Sequence, residues 1–429
     1  MLDRNQQPSV YPIEQWDIPS PERITLPNGV EANVLNVGEN DVVRVDVVVK
    51  GGRWQQECPL QAVFANRMVR EGTRRYTSME LAERLDYYGA WLELSCAAEY
   101  AFITLYSLNK YLPQTLEVLE SVVKEPVFPE KELHTLVENN IQQFRVNSAR
   151  VDFLAHRALV NALYGDAHPC GYLVEEADYR RMCPALLQAF HERYYHAGNC
   201  TLYLSGKVTG DCLKRVEELF GTEPFGQGGA SPGRIDFPVV TVPQKRVFVE
   251  RADSLQSAVR MGMLTIDRHH ADFMKLRVLV TLLGGYFGSR LMSNIREEKG
   301  YTYGVFANIL SNPGSGLFLI HAETANEYVE PLIREVYAEM DKLRNEPVPA
   351  EELSMVQNYM RGEMCRNYES AFSLADAWIF LQTSGLEPSY YQEALETIRQ
   401  VTPQDIGEMA NKYLCKDNLK EIVSGKKIS

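Results

Sequence analysis

Two stretches of this 429-residue chain match each other without a gap at a spacing of 219 residues. With Pro184 set on Pro403, Tyr194 meets Tyr413, Asn199 meets Asn418, and Ser205-Gly206-Lys207 meets Ser424-Gly425-Lys426. Arg193 meets Lys412, a change that keeps the charge. Solenoid repeats run to roughly 20–50 residues, so a period of half the chain means a duplicated unit, and each copy must bury its own apolar faces. The length also asks for two or more domains. The expected fold class is α+β: two homologous α/β-sandwich halves, each a sheet packed on helices, that close as a clam-shell around a space.

The local patterns fill in both copies. Residues 24–50 alternate as strands, with Asn28-Gly29 as a hairpin turn and VVRVDVVVKGG as a long β-branched run. Helical spacing follows at 59–69 (Leu60, Val63, Phe64, Met68) and at 79–88, where Gly89 stops it. Two strands span 91–108 with a turn near Ala97, and helices cover 113–124 and 130–147. Helical patterns continue to about Tyr195, before a strand at 200–208. Residues 221–244, GTEPFGQGGASPGRIDFPVVTVPQ, are rich in Gly and Pro and lack an apolar period, which marks a linker. It separates an N-terminal domain, 1–220, from a C-terminal domain, 245–429. Beyond it come strands at 246–250 and 257–264, a helix at 270–283, a strand at 316–322, and helices to the end of the chain.

Charge and cysteine usage narrow the partners. A net charge of −13 disfavours nucleic acid and anionic membrane surfaces. Residues 1–16 have neither a basic segment nor an apolar core, so no signal peptide is expected, and no apolar run is long enough to span a bilayer. A cytoplasmic protein is expected. The eight cysteines are scattered without a CxxC pair, as free thiols in a reducing compartment would be.

The most informative stretch is 282–305, LLGGYFGSRLMSNIREEKGYTYGV. A glycine turn (Gly284, Gly285, Gly288) opens it. A short amphipathic helix follows, with Leu291, Met292 and Ile295 apolar. Gly300 sits where a C-cap glycine belongs, and Tyr301, Thr302, Tyr303 and Val305 read as a strand. Arg296 in the last helical turn and Tyr303 at the strand's start can point into one space. A guanidinium fork and a phenol suit a peptide carbonyl, or the oxyanion it becomes. The plainer account of the same residues is a cation facing the helix dipole beside an ordinary strand aromatic.

SRLMSNIREEKGYTY resembles the C-terminal signature of the pitrilysin/insulinase family of zinc peptidases. ITLPNGVEANVL and VVVKGGRW resemble the family's opening strands, and YGDAHPCGY and RYYHAGNCTLYLSGKV its middle and the end of its first half. The order of these motifs covers most of the chain. The resemblance implies the short, two-domain class, with halves arranged as in mitochondrial processing peptidase subunits. It also implies that Arg296 and Tyr303 bind substrate.

The family's zinc motif is missing. H-x-x-E-H places two ligands and a general base on one helix. With Gly72-Thr73 setting the register, Val63 and Arg67 stand at the histidine positions, Asn66 at the base, and Asn140, two residues from Glu138, at the distant ligand. Valine has no lone pair, arginine keeps its proton, and asparagine is no base near neutral pH. No His precedes His134. His134 with Glu138, His269-His270 with Asp272, and His321 with Glu323 are each two-ligand fragments without a third partner. His168 and Cys170 are neighbours in sequence, which does not make them a catalytic pair. No metal or other cofactor is therefore expected in this chain, and no catalytic residue in the chain alone.

Some members of the family divide labour between a zinc-bearing subunit and a homologue that supplies the Arg-Tyr pair. The resemblance thus implies a non-catalytic subunit of a heterodimeric zinc metallopeptidase. Its partner would be a homologous H-x-x-E-H subunit with zinc, and its substrates unfolded peptides. The alternatives are an inert peptide-binding or scaffold homodimer of the same fold, a structural subunit of a larger assembly, and an active hydrolase with a new site, which the sequence does not support.

Overall fold

The computed structural model of the chain describes residues 18–226, 228, 233, 235–366 and 368–427. Residues 1–16, for which no signal peptide is expected, lie outside them, as do residues 227, 229–232 and 234 of the Gly/Pro-rich stretch.

The first sheet contains β1 (Glu22–Thr25), β2 (Glu31–Asn36), β3 (Val42–Val49), β4 (Trp91–Cys96), β5 (Ala101–Leu108) and β6 (Cys200–Gly206), in the order β1-β2-β6-β3-β5-β4. The second contains β7 (Arg246–Glu250), β8 (Gln256–Thr265), β9 (Thr302–Asn312), β10 (Ser315–Ala325) and β11 (Lys420–Gly425), in the order β7-β11-β8-β10-β9. β2 runs parallel to β6 and β7 parallel to β11. Every other pair is antiparallel. Apart from the extra edge strand β1, the two sheets share one topology strand for strand. The helices Pro184–Tyr194 and Pro403–Tyr413 and the short turns ending at Asn199 and Asn418 also keep the repeat's spacing. The expected duplicated α+β architecture is thus what the chain adopts.

The carboxyl terminus differs from expectation. Helices do not run to the end: the last element is β11, the counterpart of β6. KEIVSG is short and mixed in polarity, so its own pattern is weak. It forms a strand because it fills the gap between β7 and β8, and all six of its residues are buried.

The halves are joined by an exchange of helices. Helix Val151–Tyr164, encoded before the linker, packs on β8 and β11 of the second sheet. Its Ala155, Leu159, Ala162 and Leu163 bury against Ala258, Leu317, Leu319 and Ile422. Helix Ala371–Ser384, encoded after the linker, packs on β2 and β6 of the first sheet. Its Leu374, Ala375 and Trp378 bury against Leu35, Val48 and Tyr203. Each sheet thus has one face covered by its own helices and the other partly covered by a helix of the opposite half. β3 is accordingly buried almost end to end, as its near-continuous apolar run requires. Truncating one buried leucine in such a seam costs roughly 2–5 kcal/mol, so the two halves cannot swing apart without losing much of their stability.

The linker is pinned at its second end. The N–H groups of Val240 and Val242 donate to the carbonyls of Tyr164 and Ala162 at 3.1 and 2.8 Å, and the Thr241 hydroxyl donates to the Leu163 carbonyl at 2.9 Å.

Candidate functional site

Helix Phe273–Val280 continues into a wider, π-type turn, Thr281–Gly285, so the glycines at 284 and 285 end a helix rather than open a turn. Gly284 is there for close approach: a Cβ on it would lie 2.7 Å from the Ala307 Cβ on β9. The chain then reverses through Tyr286–Ser289 and winds a second π-type segment, Met292–Glu298, with Met292 and Ile295 buried. Gly300 closes it in the left-handed conformation (φ 65°). Its N–H donates to the Arg296 carbonyl at 3.2 Å, and that of Tyr301 to Ile295 at 3.0 Å. β9 starts at once, held by the Thr302 hydroxyl donating to the Glu323 carbonyl at 2.6 Å.

This corner brings Arg296 and Tyr303 together. The guanidinium carbon of Arg296 lies 5.0 Å from the Tyr303 ring centroid and 4.5 Å from that of Phe287. A flat cation between two aromatic faces is oriented by both, and among the described residues no hydrogen bond or ion pair occupies its fork. Tyr303 is 89% exposed and Phe287 59%. Sequence reasoning missed Phe287; its signal was an aromatic residue set between Gly285 and Gly288, where a core residue would be out of place. Tyr303 also borders a cavity of about 500 Å³ between the ends of β9 and β10, which Arg260, Phe306 and His321 also line.

The degenerate motif lies on helix Gln61–Met68. Arg67 Nη1 donates to Asn140 Oδ1 at 3.0 Å, and Asn140 Nδ2 donates to the Leu136 carbonyl at 2.7 Å. Arg67 therefore reaches the position of the distant ligand, although it sits at an exposed position on its helix. Glu138 pairs with Arg180 at 3.0 Å instead. Asn66 is 1% exposed; its Nδ2 donates to the Phe102 carbonyl and the Tyr195 hydroxyl, both at 3.3 Å, while among the described residues its Oδ1 has no partner. Val63 lines a second cavity of about 310 Å³ with Trp54, Cys58, His168 and Phe237.

A zinc ion does not fit here. An arginine side chain already spans two of the ligand positions, and a cation beside it would be repelled. The one orphaned oxygen, on Asn66, is a single neutral donor. Among the described residues no three His, Cys, Asp or Glu side chains converge. The purified chain is expected to hold no stoichiometric zinc by elemental analysis, and Arg67→His to leave this unchanged because Val63 still offers no lone pair. About one tightly held zinc per chain would contradict this account.

Two of the remaining fragments are structural. His168 Nδ1 accepts the Cys170 N–H at 3.0 Å, and burial pushes the Cys170 thiol up to about 11, which keeps it protonated and inert. Asp272 is taken by Lys412 and Tyr413 at 2.6 and 2.7 Å, and His269 by the Ser384 carbonyl at 2.9 Å. All eight cysteines are free. No helix among the described residues is long and apolar enough to cross a membrane.

Comparison with known proteins agrees with this fold. Residues 35–169 match the family model described as insulinase (peptidase family M16), and residues 184–360 the one described as peptidase M16 inactive domain. The chain belongs to the insulinase family, peptidase family M16. A Bacillus subtilis relative described as the uncharacterized zinc protease YmxG is 24% identical over 359 residues, covering 82% of this chain and 85% of that protein. A Helicobacter pylori relative described as the non-peptidase homolog YmxG is 23% identical over 383 residues, covering 87% and 86%. The crystal structure of a peptidase M16 inactive domain from Pseudomonas fluorescens superposes with a TM-score of 0.84 at 22% identity, covering 95% of this chain and 99% of that one. The periplasmic protease PqqL from Escherichia coli superposes with a TM-score of 0.78 at 16% identity, covering 99% of this chain and 48% of PqqL.

Proposed function

We propose that this chain is the non-catalytic subunit of a heterodimeric zinc metallopeptidase. It supplies Arg296 and Tyr303 to peptides cleaved at the zinc of a homologous H-x-x-E-H partner. The observation that carries this reading is the contrast between two sites in one molecule. Val63, Asn66, Arg67 and Asn140 leave no metal centre, whereas Arg296 is held between Phe287 and an exposed Tyr303 with its fork uncommitted. Such a fork, with a phenol beside it, can hold a peptide carbonyl in place. The test is isolation from the native host. A homologous zinc-bearing chain should co-purify, and the pair should cleave peptides in a chelator-sensitive way. A homodimer without hydrolysis would replace this reading with the inert peptide-binding or scaffold protein. The name of the Helicobacter pylori relative, a non-peptidase homolog, favours that second reading.

The domain division belongs to this proposal: 1–220 and 245–429, joined by 221–244. Limited proteolysis should cut the Gly/Pro stretch first and leave two pieces near half size. Because each piece lends a helix to the other's sheet, they should stay together on a native gel-filtration column and separate only in denaturant. Pieces that part without denaturant would contradict the exchange.

A further inference from the structure

The cavity beside Tyr303 contains a cation that the reading above leaves unused. A single row crosses three strands on its floor. Arg260 on β8 is the cross-strand partner of His321 on β10, and His321 is that of Phe306 on edge strand β9. The His321 and Phe306 rings are 5.6 Å apart. Arg260 is half-buried, and among the described residues no hydrogen bond or ion pair reaches its guanidinium. The charged and titratable groups that act on it are Asp152, Glu323, His156 and His321. Both oxygens of Asp152 already accept from Arg150, at 3.1 and 2.7 Å. Glu323 is an exposed residue at the cavity wall. Among the described residues His321 Nδ1 is buried without a partner. Burial, followed by the nearby Arg260 and His156, pushes the His321 imidazole down to about 4, so the ring is neutral at pH 7 and has one N–H to donate. His321 Nδ1, buried without an acceptor, forgoes the hydrogen bond that water would have given it, and the Arg260 guanidinium opens onto the cavity with no protein acceptor among the described residues. One arriving carboxylate would supply acceptors to both.

We propose that this cavity is a carboxylate subsite for an extended peptide. Arg260 grips the carboxylate through its planar fork, His321 donates its ring N–H, and Tyr303 and Phe306 flank the bound chain. The inference rests on the peptide-binding reading above and gives it a substrate class: peptides with an acidic group, either an Asp or Glu side chain or a free C-terminus.

The test is binding of fluorescein-labelled decapeptides to the full chain, followed by anisotropy at low salt. Three versions differ only in their carboxylates: one internal Glu with a C-terminal amide, the Gln analogue with an amide, and the Gln analogue with a free C-terminus. The Glu or the free-acid version should bind about tenfold tighter than the Gln amide, the scale of one or two charge-assisted hydrogen bonds, and whichever does identifies the source of the carboxylate. Arg260→Met should abolish the preference, and Arg260→Lys should restore only part of it. Glu323→Gln should strengthen carboxylate binding severalfold by removing a competing anion, which a merely structural role for Arg260 would not produce. Arg296→Ala should weaken all three peptides alike and leave the preference intact. Equal binding of all three peptides, or a preference that survives Arg260→Met, overturns the subsite while leaving the peptide-binding reading in place. Failure of every peptide to bind, with the chain alone and with its partner, overturns both.

Discussion

Arg44→Met is expected to lower the unfolding free energy by about 3–5 kcal/mol, the cost of leaving a buried charge without its partner. Arg44 and Asp46 are neighbours on one face of β3, 6% and 1% exposed. Arg44 Nε donates to Asp46 Oδ1 at 2.9 Å. The same guanidinium reaches the exchanged helix, with Nη2 to Asp376 Oδ1 at 2.6 Å and Nη1 to the Phe372 carbonyl at 3.2 Å. It therefore neutralises a buried carboxylate and bolts the second half's helix to the first half's sheet. With Arg44 gone, Asp46 retains only the Thr104 hydroxyl, at 2.7 Å. Burial already holds the Asp46 carboxyl above its ordinary value with the arginine opposing it. Without the arginine it rises further, so the deficit should shrink as the pH falls and Asp46 takes up a proton. Urea unfolding of Arg44→Met beside Arg44→Met/Asp46→Asn separates the causes. The double variant should recover much of the loss, because removing both charges removes the uncompensated one. A single variant within ~1 kcal/mol of the parent, the median worth of an exposed ion pair, would mean that the pair is effectively solvated and the bolt idle.

Much of this architecture was legible in the sequence because its signals are local or periodic. The 219-residue spacing announced two like sheets, the valine-rich run announced β3, and Gly300 announced the helix end that sets Tyr303 beside Arg296. The exchange of helices was not legible. The apolar face of helix Val151–Tyr164 says that it must be covered, but nothing in a helical period says by which sheet, and both sheets offer similar apolar surfaces. β11 was legible only through the repeat, which sets the strand at 200–208 on 419–427; its own short, mixed pattern hides it, because its residues become a strand through β7 and β8. The vestigial metal site was the reverse case, since a valine, an arginine and two neutral amides supply neither the anionic or imidazole ligands nor the base that the chemistry needs, wherever they sit. The pairing of Arg67 with Asn140 rather than Glu138 needed coordinates, because Arg180 competes for Glu138 from a helix distant in sequence. The uncommitted state of Arg260 needed them too: a lone arginine in an alternating strand reads as solvent-facing until its neighbours on two other strands are known.

Arg296→Ala, in a complex reconstituted with the proposed zinc-bearing partner, is expected to reduce peptide turnover on the order of 10²-fold while leaving assembly intact, by comparison with the loss of one preorganised oxyanion donor. The expectation follows from geometry. Among the described residues the guanidinium is not tied into an ion pair that would make it structural; it is oriented by the faces of Phe287 and Tyr303 at 4.5 and 5.0 Å, and Tyr303 stands almost wholly in solvent. A structural arginine on this chain looks different: Arg290, in the same reversal, is closed onto Glu352 by two bonds of 2.8 Å. Tyr303→Phe keeps the ring that steadies Arg296 and deletes only the hydroxyl, so its defect should be smaller than that of Arg296→Ala and confined to turnover. Phe287→Ala removes one of the two faces and should mimic a weaker Arg296→Ala. Lysine at 296 should rescue poorly, since an ammonium has neither the planar fork nor the broad face that stacks between rings. The decisive measurement is kcat and KM of each reconstituted pair on one unstructured peptide, with gel filtration as the control for assembly. Wild-type turnover by an assembled Arg296→Ala complex would reduce the Arg-Tyr corner to surface decoration and leave the inert scaffold as the better account of the chain.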